Sequence, residues 1–259
     1  DDWVRIDGLG KAAQGIAVYS DGGKILYAAS GSRIFKSADA GDTWESEFKS
    51  VGLGKKVNYI KIGTGAMAGI YAATGSGLYA KKEGAGWRRL FRGSSAEEAD
   101  CKVIAFGRNQ IYLGTGAGLF LREAGSELFR RVKGVVGRAK ICSIVSAYGE
   151  NPVLAASDEG VFRSIDYGNT WEKTLISRQA GDDGGETGDD ESENGPDEGD
   201  FRVNSLAVDA EGSGAFMAAT TRGVYTSIDN GVHWEALTSQ GLPGESIDSV
   251  YSLAKFGIC

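Results

Sequence analysis

The sequence predicts an all-β chain folded as a β-propeller, with five complete four-stranded blades and strands of a partial blade at both ends. Three observations carry that expectation. Glycine is very frequent, at 40 of 259 residues, while proline is nearly absent, at 3. Glycine at this level without a collagen period points to many tight turns between short strands. An eight-residue pattern, S-x-D-x-G-x-x-W, occurs three times. Large aromatics recur at a period near 42 residues, which is the length of one four-stranded blade.

The pattern is first met at Ser37, Asp39, Gly41 and Trp44. It returns at Ser164, Asp166, Gly168 and Trp171, and again at Ser227, Asp229, Gly231 and Trp234. Each copy follows one lead-in: ILYAASGSRIFKS at 25–37, VLAASDEGVFRS at 153–164 and FMAATTRGVYTS at 216–227. Two more lead-ins lack the pattern, IYAATGSGLYAKK at 70–82 and IYLGTGAGLFLRE at 111–123, and are followed by Trp87 and Phe129. The series Trp3, Trp44, Trp87, Phe129, Trp171, Trp234 steps by 41, 43, 42, 42 and 63 residues. An insertion at 181–200 accounts for the last step.

Each period divides into four short strands. Strand a is VNYIKIG (57–63) or VNSLAVD (203–209), and strand b is IYAAT (70–74) or FMAAT (216–220). Strand b is apolar throughout, as expected of a strand buried on both faces. Its paired alanines, such as Ala72 and Ala73, let neighbouring blades approach. Strand c is GLYA (77–80) or GVYTS (223–227), and strand d begins at the aromatic, as in WEALTSQGL (234–242). Residues 1–10 match a strand d and 247–256 a strand a. The chain therefore reads as a single propeller domain over 1–259 and a fragment of a longer one.

Charge and cysteine content exclude several classes. No apolar run approaches the ~18 residues of a membrane-spanning helix. The net charge is -7, yet residues 181–200 alone hold ten Asp or Glu and no Lys or Arg, which leaves the remainder at +3. That tract cannot bury a core and is expected to be a disordered loop. It lacks the D-x-[DN]-x-[DN]-G spacing of a calcium loop, so no metal is expected there. A nucleic-acid binder would carry a strongly basic face, which this balance does not suggest. Cys101, Cys142 and Cys259 fit neither a metal-ligand spacing nor a disulfide scaffold. Cys101 and Cys142 fall one register step apart on neighbouring inner strands, where they could point toward each other. Packed sheets lie about 10 Å apart, too far for most bridges, so free thiols are expected.

The S-x-D-x-G-x-T-W pattern resembles the Asp-box, or BNR, repeat over nearly the whole chain apart from 181–200. Among proteins with that repeat, the short regular blades look most like the photosystem II stability/assembly factor-like family. Sortilin-type receptors, sialidases and xyloglucan-cleaving propellers are more distant. The resemblance implies the fold more strongly than any activity. It implies a non-enzymatic scaffold that binds a protein partner outside the cytoplasm, with a glycan-binding or glycoside-hydrolase propeller as the alternative. In the box, the Asp side chain bonds its own turn. The Gly takes the positive φ of the c–d hairpin. The Trp buries a large face between blades.

No catalytic, cofactor or metal residues are expected. A glycosidase needs two carboxylates converging on one bond. No such pair stands out, and the Arg-Ile-Pro segment of sialidases is absent. His233, the only histidine, fills the Thr slot of the third box. Gly114-Thr115-Gly116 precedes a strand, not a helix, and reads as a turn rather than a phosphate loop.

A partner surface is expected on the face that carries the b–c turns and d–a loops, opposite the boxes. The b–c turns contribute Arg33, Asp158, Glu159 and Arg222. The d–a loops contribute Lys55, Lys56, Arg92, Arg138 and Lys140. Charged side chains on turns around a rigid scaffold form a contact surface. The acidic tract emerges on this same face, where it would screen the basic loops until an acidic partner displaces it.

Overall fold

The computed structural model describes residues 13–19 (backbone only), 24–50, 52, 55–146, 151–175, 201–208, 214–237 and 247–250. Within them lie five antiparallel four-stranded sheets, each with its strands in sequence order. Blade 1 comprises β1 (Ala13–Tyr19), β2 (Ile25–Ser30), β3 (Arg33–Ser37) and β4 (Glu45–Lys49). Blade 2 comprises β5 (Val57–Gly63), β6 (Gly69–Thr74), β7 (Gly77–Lys81) and β8 (Arg88–Phe91). Blade 3 comprises β9 (Cys101–Phe106), β10 (Gln110–Thr115), β11 (Gly118–Glu123) and β12 (Arg130–Arg131). Blade 4 comprises β13 (Ile141–Ser146), β14 (Val153–Ser157), β15 (Gly160–Ser164) and β16 (Glu172–Leu175). Blade 5 comprises β17 (Val203–Val208), β18 (Phe216–Thr220), β19 (Gly223–Ser227) and β20 (Glu235–Ala236).

The inner strands pack in sequence, β1 on β5, β5 on β9, β9 on β13 and β13 on β17. Among the described residues no comparable packing joins β17 to β1. The core consists of layers between blades. One layer joins Ala29 and Ile34 to Val57, Ala72 and Tyr79. The next joins Tyr71, Ala73 and Leu78 to Ile104, Ile111 and Leu113. A third runs from Tyr112 and Leu121 to Ile141 and Phe162, and a fourth from Leu154 and Val161 to Leu206 and Phe216. Successive residues of strand b thus serve opposite gaps, Ala72 one way and Ala73 the other, because alternate side chains leave opposite faces of a strand.

Residues 247–250 adopt no regular strand, yet they dock on blade 5. The Ile247 amide donates to the Thr220 carbonyl at 2.8 Å, and Asn204 Nδ2 donates to the Ile247 carbonyl at 2.8 Å. Asn58 makes the same bond to the carbonyl of Cys101, the first residue of β9, at 2.7 Å. Residues 247–250 therefore start where strand a of a sixth blade would. The expected strand d at 1–10, the rest of the expected strand to 256, Cys259 and the tract at 181–200 lie outside the described residues.

Three details differ from expectation. A short helix α1 (Ala96–Ala99) interrupts the loop between β8 and β9. Its signature is Ser95-x-x-Glu98: the Glu98 amide donates to Ser95 Oγ, and its carboxylate accepts from the Ser94 amide at 2.7 Å. Arg33 begins β3 rather than sitting in the turn before it. Finally, Cys101 and Cys142, both free thiols, do not point toward each other. Cys101 packs into the layer between blades 2 and 3. Cys142 turns toward blade 5, where its thiol donates to the Val203 carbonyl at 2.9 Å. Burial pushes both thiols up, Cys142 to about 11 and Cys101 further.

Candidate functional site

The three S-x-D-x-G-x-x-W copies build the same turn at the end of strand c. In blade 4, Ser164 Oγ donates to Asp166 Oδ1 at 2.9 Å and accepts from the Gly168 amide at 2.8 Å. Asp166 Oδ1 also accepts from the Asn169 and Thr170 amides at 3.0 and 2.8 Å, and its Oδ2 accepts from Thr170 Oγ1 at 2.6 Å. Trp171 Nε1 closes the turn on the Gly168 carbonyl at 3.1 Å. Blade 1 repeats this with Ser37, Asp39, Thr43 and the Trp44–Gly41 bond. Blade 5 repeats it with Ser227 and Asp229, except that His233 Nδ1 replaces the threonine hydroxyl, 2.6 Å from Asp229 Oδ2. The residue between Asp and Gly is left-handed each time, at Ala40, Tyr167 and Asn230 (φ 61, 58 and 63°). Its amide reaches the a–b turn, as Ala40 does to Lys24 O at 2.9 Å, which puts these two sets of turns on one face. Blade 2, without the motif, leaves Trp87 Nε1 buried and unpartnered.

These carboxylates are committed to their own turns, and their acidity records it. The hydroxyl and amide of Thr43, then the Ser37 hydroxyl, hold Asp39 at about 2. Burial pushes Asp166 up, but the Thr170, Ser164 and Asn169 donors outweigh it and the net shift is downward. The His233 amide and ring, with Ser227, hold Asp229 well below the usual range. A carboxyl whose folded pKa lies below its unfolded value stabilises the fold fully above the unfolded value and loses that contribution as pH falls through the folded one. For Asp39 the window runs from 3.8 down to about 2. Melting curves between pH 5 and pH 2 should therefore show wild type and Asp39→Asn converging as acid is added. A constant difference across that range would contradict this assignment.

The opposite face is built by a second device that the sequence reading missed. In blades 2 to 5 strand b ends on a buried hydroxyl, at Thr74, Thr115, Ser157 and Thr220. Each accepts from the amide two residues on and donates to the glycine carbonyl three residues on, as Thr220 does to Gly223 O at 2.8 Å. The repeated [ST]-x-x-G was its signal. The b–c turns then bond the ends of the d–a loops, Gly75 to Lys56 O and Asp158 to Lys140 O. This joins the two sets of predicted contact residues on one face.

The second residue of each strand a is skipped in its pairing with strand b, so Asn58, Lys102, Cys142 and Asn204 are bulged. A bulge re-aims a side chain. Asn58, Cys142 and Asn204 here reach across the gap toward the next blade. Two repeat-related open grooves result. Between blades 2 and 3, Lys55, Lys56, Asn58, Asp100 and Lys102 line about 420 Å³. There Asp100 holds Lys102 at 2.6 Å and accepts from Asn58 at 2.9 Å. Between blades 4 and 5, Lys140, Cys142, Asp158, Glu159, Arg202, Asn204 and Asp248 line about 560 Å³.

Of the predicted face residues, the fold brings Lys55 to Lys56 in the first groove and Lys140 to Asp158 and Glu159 in the second. Arg222 lines a third groove of about 540 Å³ with Phe201, Tyr225, Trp234 and Glu172. Arg33, Arg92 and Arg138 line none of these three grooves. Asn58, Lys102 and Asn204 were missed because the bulge that aims strand a across the gap has no local sequence signature; Asp100 and Arg202, just before β9 and β17, were missed as well. Among the described residues no group of three or more His, Cys, Asp or Glu is placed to hold a metal ion, and no helix is long and apolar enough to cross a membrane.

No family model matches the chain, and no curated protein matches it. Solved structures do. An ancestral GH74 enzyme is similar with a TM-score of 0.67 at 19% identity, over 91% of this chain and 32% of that one. An extracellular domain from B. thetaiotaomicron is similar with a TM-score of 0.67 at 15% identity, over 95% and 31%. YCF48 bound to D1 peptide is similar with a TM-score of 0.58 at 13% identity, over 86% and 67%. The chain spans about a third of the length of the first two. At these identities the likeness is one of fold, and together with the five sheets it makes this chain a β-propeller.

Proposed function

We propose that this chain is a non-enzymatic Asp-box propeller, most like the photosystem II assembly factor-like group, that binds an acidic protein segment on its b–c and d–a face outside the cytoplasm. The observation that carries this reading is the groove between blades 2 and 3, floored by inter-blade bonds and lined by Lys55 and Lys56, with Glu97 beside them and Asp100 already paired to Lys102; its counterpart between blades 4 and 5 sets Lys140 and Arg202 among Asp158, Glu159 and Asp248. Exposed cations around a fixed scaffold steer and orient an acidic partner. The motif carboxylates are spent on their own turns, which supports a structural role for them. YCF48 bound to D1 peptide is a fold neighbour that holds a peptide, and a separate fold neighbour is an extracellular domain. In this reading the acidic tract at 181–200 competes for the same cations. Arg131 is not among them, since it is paired with Glu98 and donates to Ala117 O at 2.5 Å.

The alternative, a carbohydrate-active propeller, has one observation in its favour: Phe201, Tyr225 and Trp234 line the third groove beside Glu172. Among the described residues Glu172 is the one carboxylate lining that groove, and it is paired with Arg163 at 2.6 Å, whereas glycoside hydrolysis uses two. Titration of a fluorescent Glu-rich peptide separates the readings. Wild type should bind it with a strong salt dependence, and Lys56→Glu with Lys140→Glu should weaken binding about tenfold or more. Equal binding by that variant, or release of reducing ends from xyloglucan by wild type, would overturn the proposal.

A further inference from the structure

In the motif blades strand c ends on a buried serine, Ser37, Ser164 or Ser227. At the same step blades 2 and 3 carry cations, Lys81 and Arg122. Lys81 forms an ion pair with Glu47, on β4 of the preceding blade. Counted from Trp44 and Trp87, the residue of β8 that corresponds to Glu47 is Leu90. Arg122 accordingly has no ion pair among the described residues. It is only 9% exposed, its guanidinium lies 5.3 Å from the centre of the Phe129 ring, and its Nε is buried with no hydrogen-bond partner.

A cavity of about 340 Å³ opens in front of it, on the face of the motif turns and away from the grooves described above. Arg122, Arg88, Lys81, Lys82, Tyr71 and Leu90 line it, and among the described residues no Asp or Glu does, although Arg88 is paired with Glu127 at 3.5 Å. Tyr71 is 3% exposed. Burial raises its hydroxyl pKa, while Arg122 and Arg88 oppose that shift, so both cations are close enough to act on it. A buried guanidinium without a counter-charge is unfavourable, and its planar fork matches a carboxylate.

We propose that the gap between blades 2 and 3 is a carboxylate-binding site centred on Arg122, in which the ligand takes the place that Glu47 fills for Lys81. The apolar wall of Leu90 and Ala80 suits a carboxylate carried on a short aliphatic chain. The unpartnered Nε–H supplies a specific reporter. Acetate should move the Arg122 Nε–H cross-peak downfield in a ¹H–¹⁵N spectrum of wild-type protein, at constant ionic strength with chloride as reference. It should also raise the melting temperature by roughly 5 °C at about a hundred times its Kd. Leu90→Glu, which places a carboxylate there in cis, should shift the same cross-peak without ligand and abolish the acetate response. Arg122→Met assigns the peak and should also lose the response. The wild-type titration alone decides the matter if a variant does not fold. An Nε–H signal indifferent to acetate overturns the site, a shift with inorganic phosphate but not acetate overturns its assignment to carboxylates, and an undiminished response in Leu90→Glu overturns its location.

Discussion

Gly118→Ala should destabilise the chain by at least about 3 kcal/mol and lower its melting temperature by roughly 6–12 °C. Gly118 opens strand c of blade 3 at φ +141°, a conformation that L side chains rarely adopt. A Cβ there would lie 2.0 Å from the Gly137 carbonyl oxygen and 2.7 Å from its carbon, so backbone must move. Gly77 and Gly160 face the same problem, with Phe91 O at 2.3 Å and Leu175 O at 2.2 Å. Gly84→Ala is the control. Gly84 has φ +71°, and no described atom lies within 4 Å of the added carbon, so only the conformational cost of about 1–2 kcal/mol applies. Thermal melting of the two variants checks this, and equal losses would remove close approach as the cause.

Ser164→Ala should destabilise by about 1–3 kcal/mol, because it strands the buried Gly168 amide and removes a donor from Asp166. Asp166→Ala should act in the same direction, since four donors lose their acceptor. Denaturant titration of both variants reads the effect as a lower midpoint at unchanged slope. An unchanged midpoint in Ser164→Ala would mean the turn is held by something other than this serine.

The fold was legible because its signals repeat. A 42-residue period, paired alanines in strand b and three identical turns each say the same thing, and agreement among levels is what specifies a structure. The motif was legible as a repeated turn, but not the left-handed Ala40 and Tyr167, since neither residue type favours a positive φ; Asn230, of a type enriched there, carried a signal that was not read. The face proposed for a partner could be read as a set of charges on turns, not as grooves. Groove geometry depends on the bulge at Asn58, Cys142 and Asn204, and a bulge follows from register between strands rather than from local pattern. The same bulge explains why Cys142 faces away from Cys101. Arg122 escaped notice because its significance is relational. It shares a repeat position with Lys81, but the Glu47 that answers Lys81 is a leucine one blade on.

The central claim is a division of labour between faces: repeated carboxylates hold the fold on one, and cations meet a partner on the other. The most direct test measures melting and acidic-peptide binding together in two variants, Asp166→Ala and Lys56→Glu with Lys140→Glu. The account predicts that the first melts lower and binds as wild type while still folded, and that the second binds about tenfold or more weakly with unchanged melting. Weaker binding at unchanged melting in Asp166→Ala would contradict it.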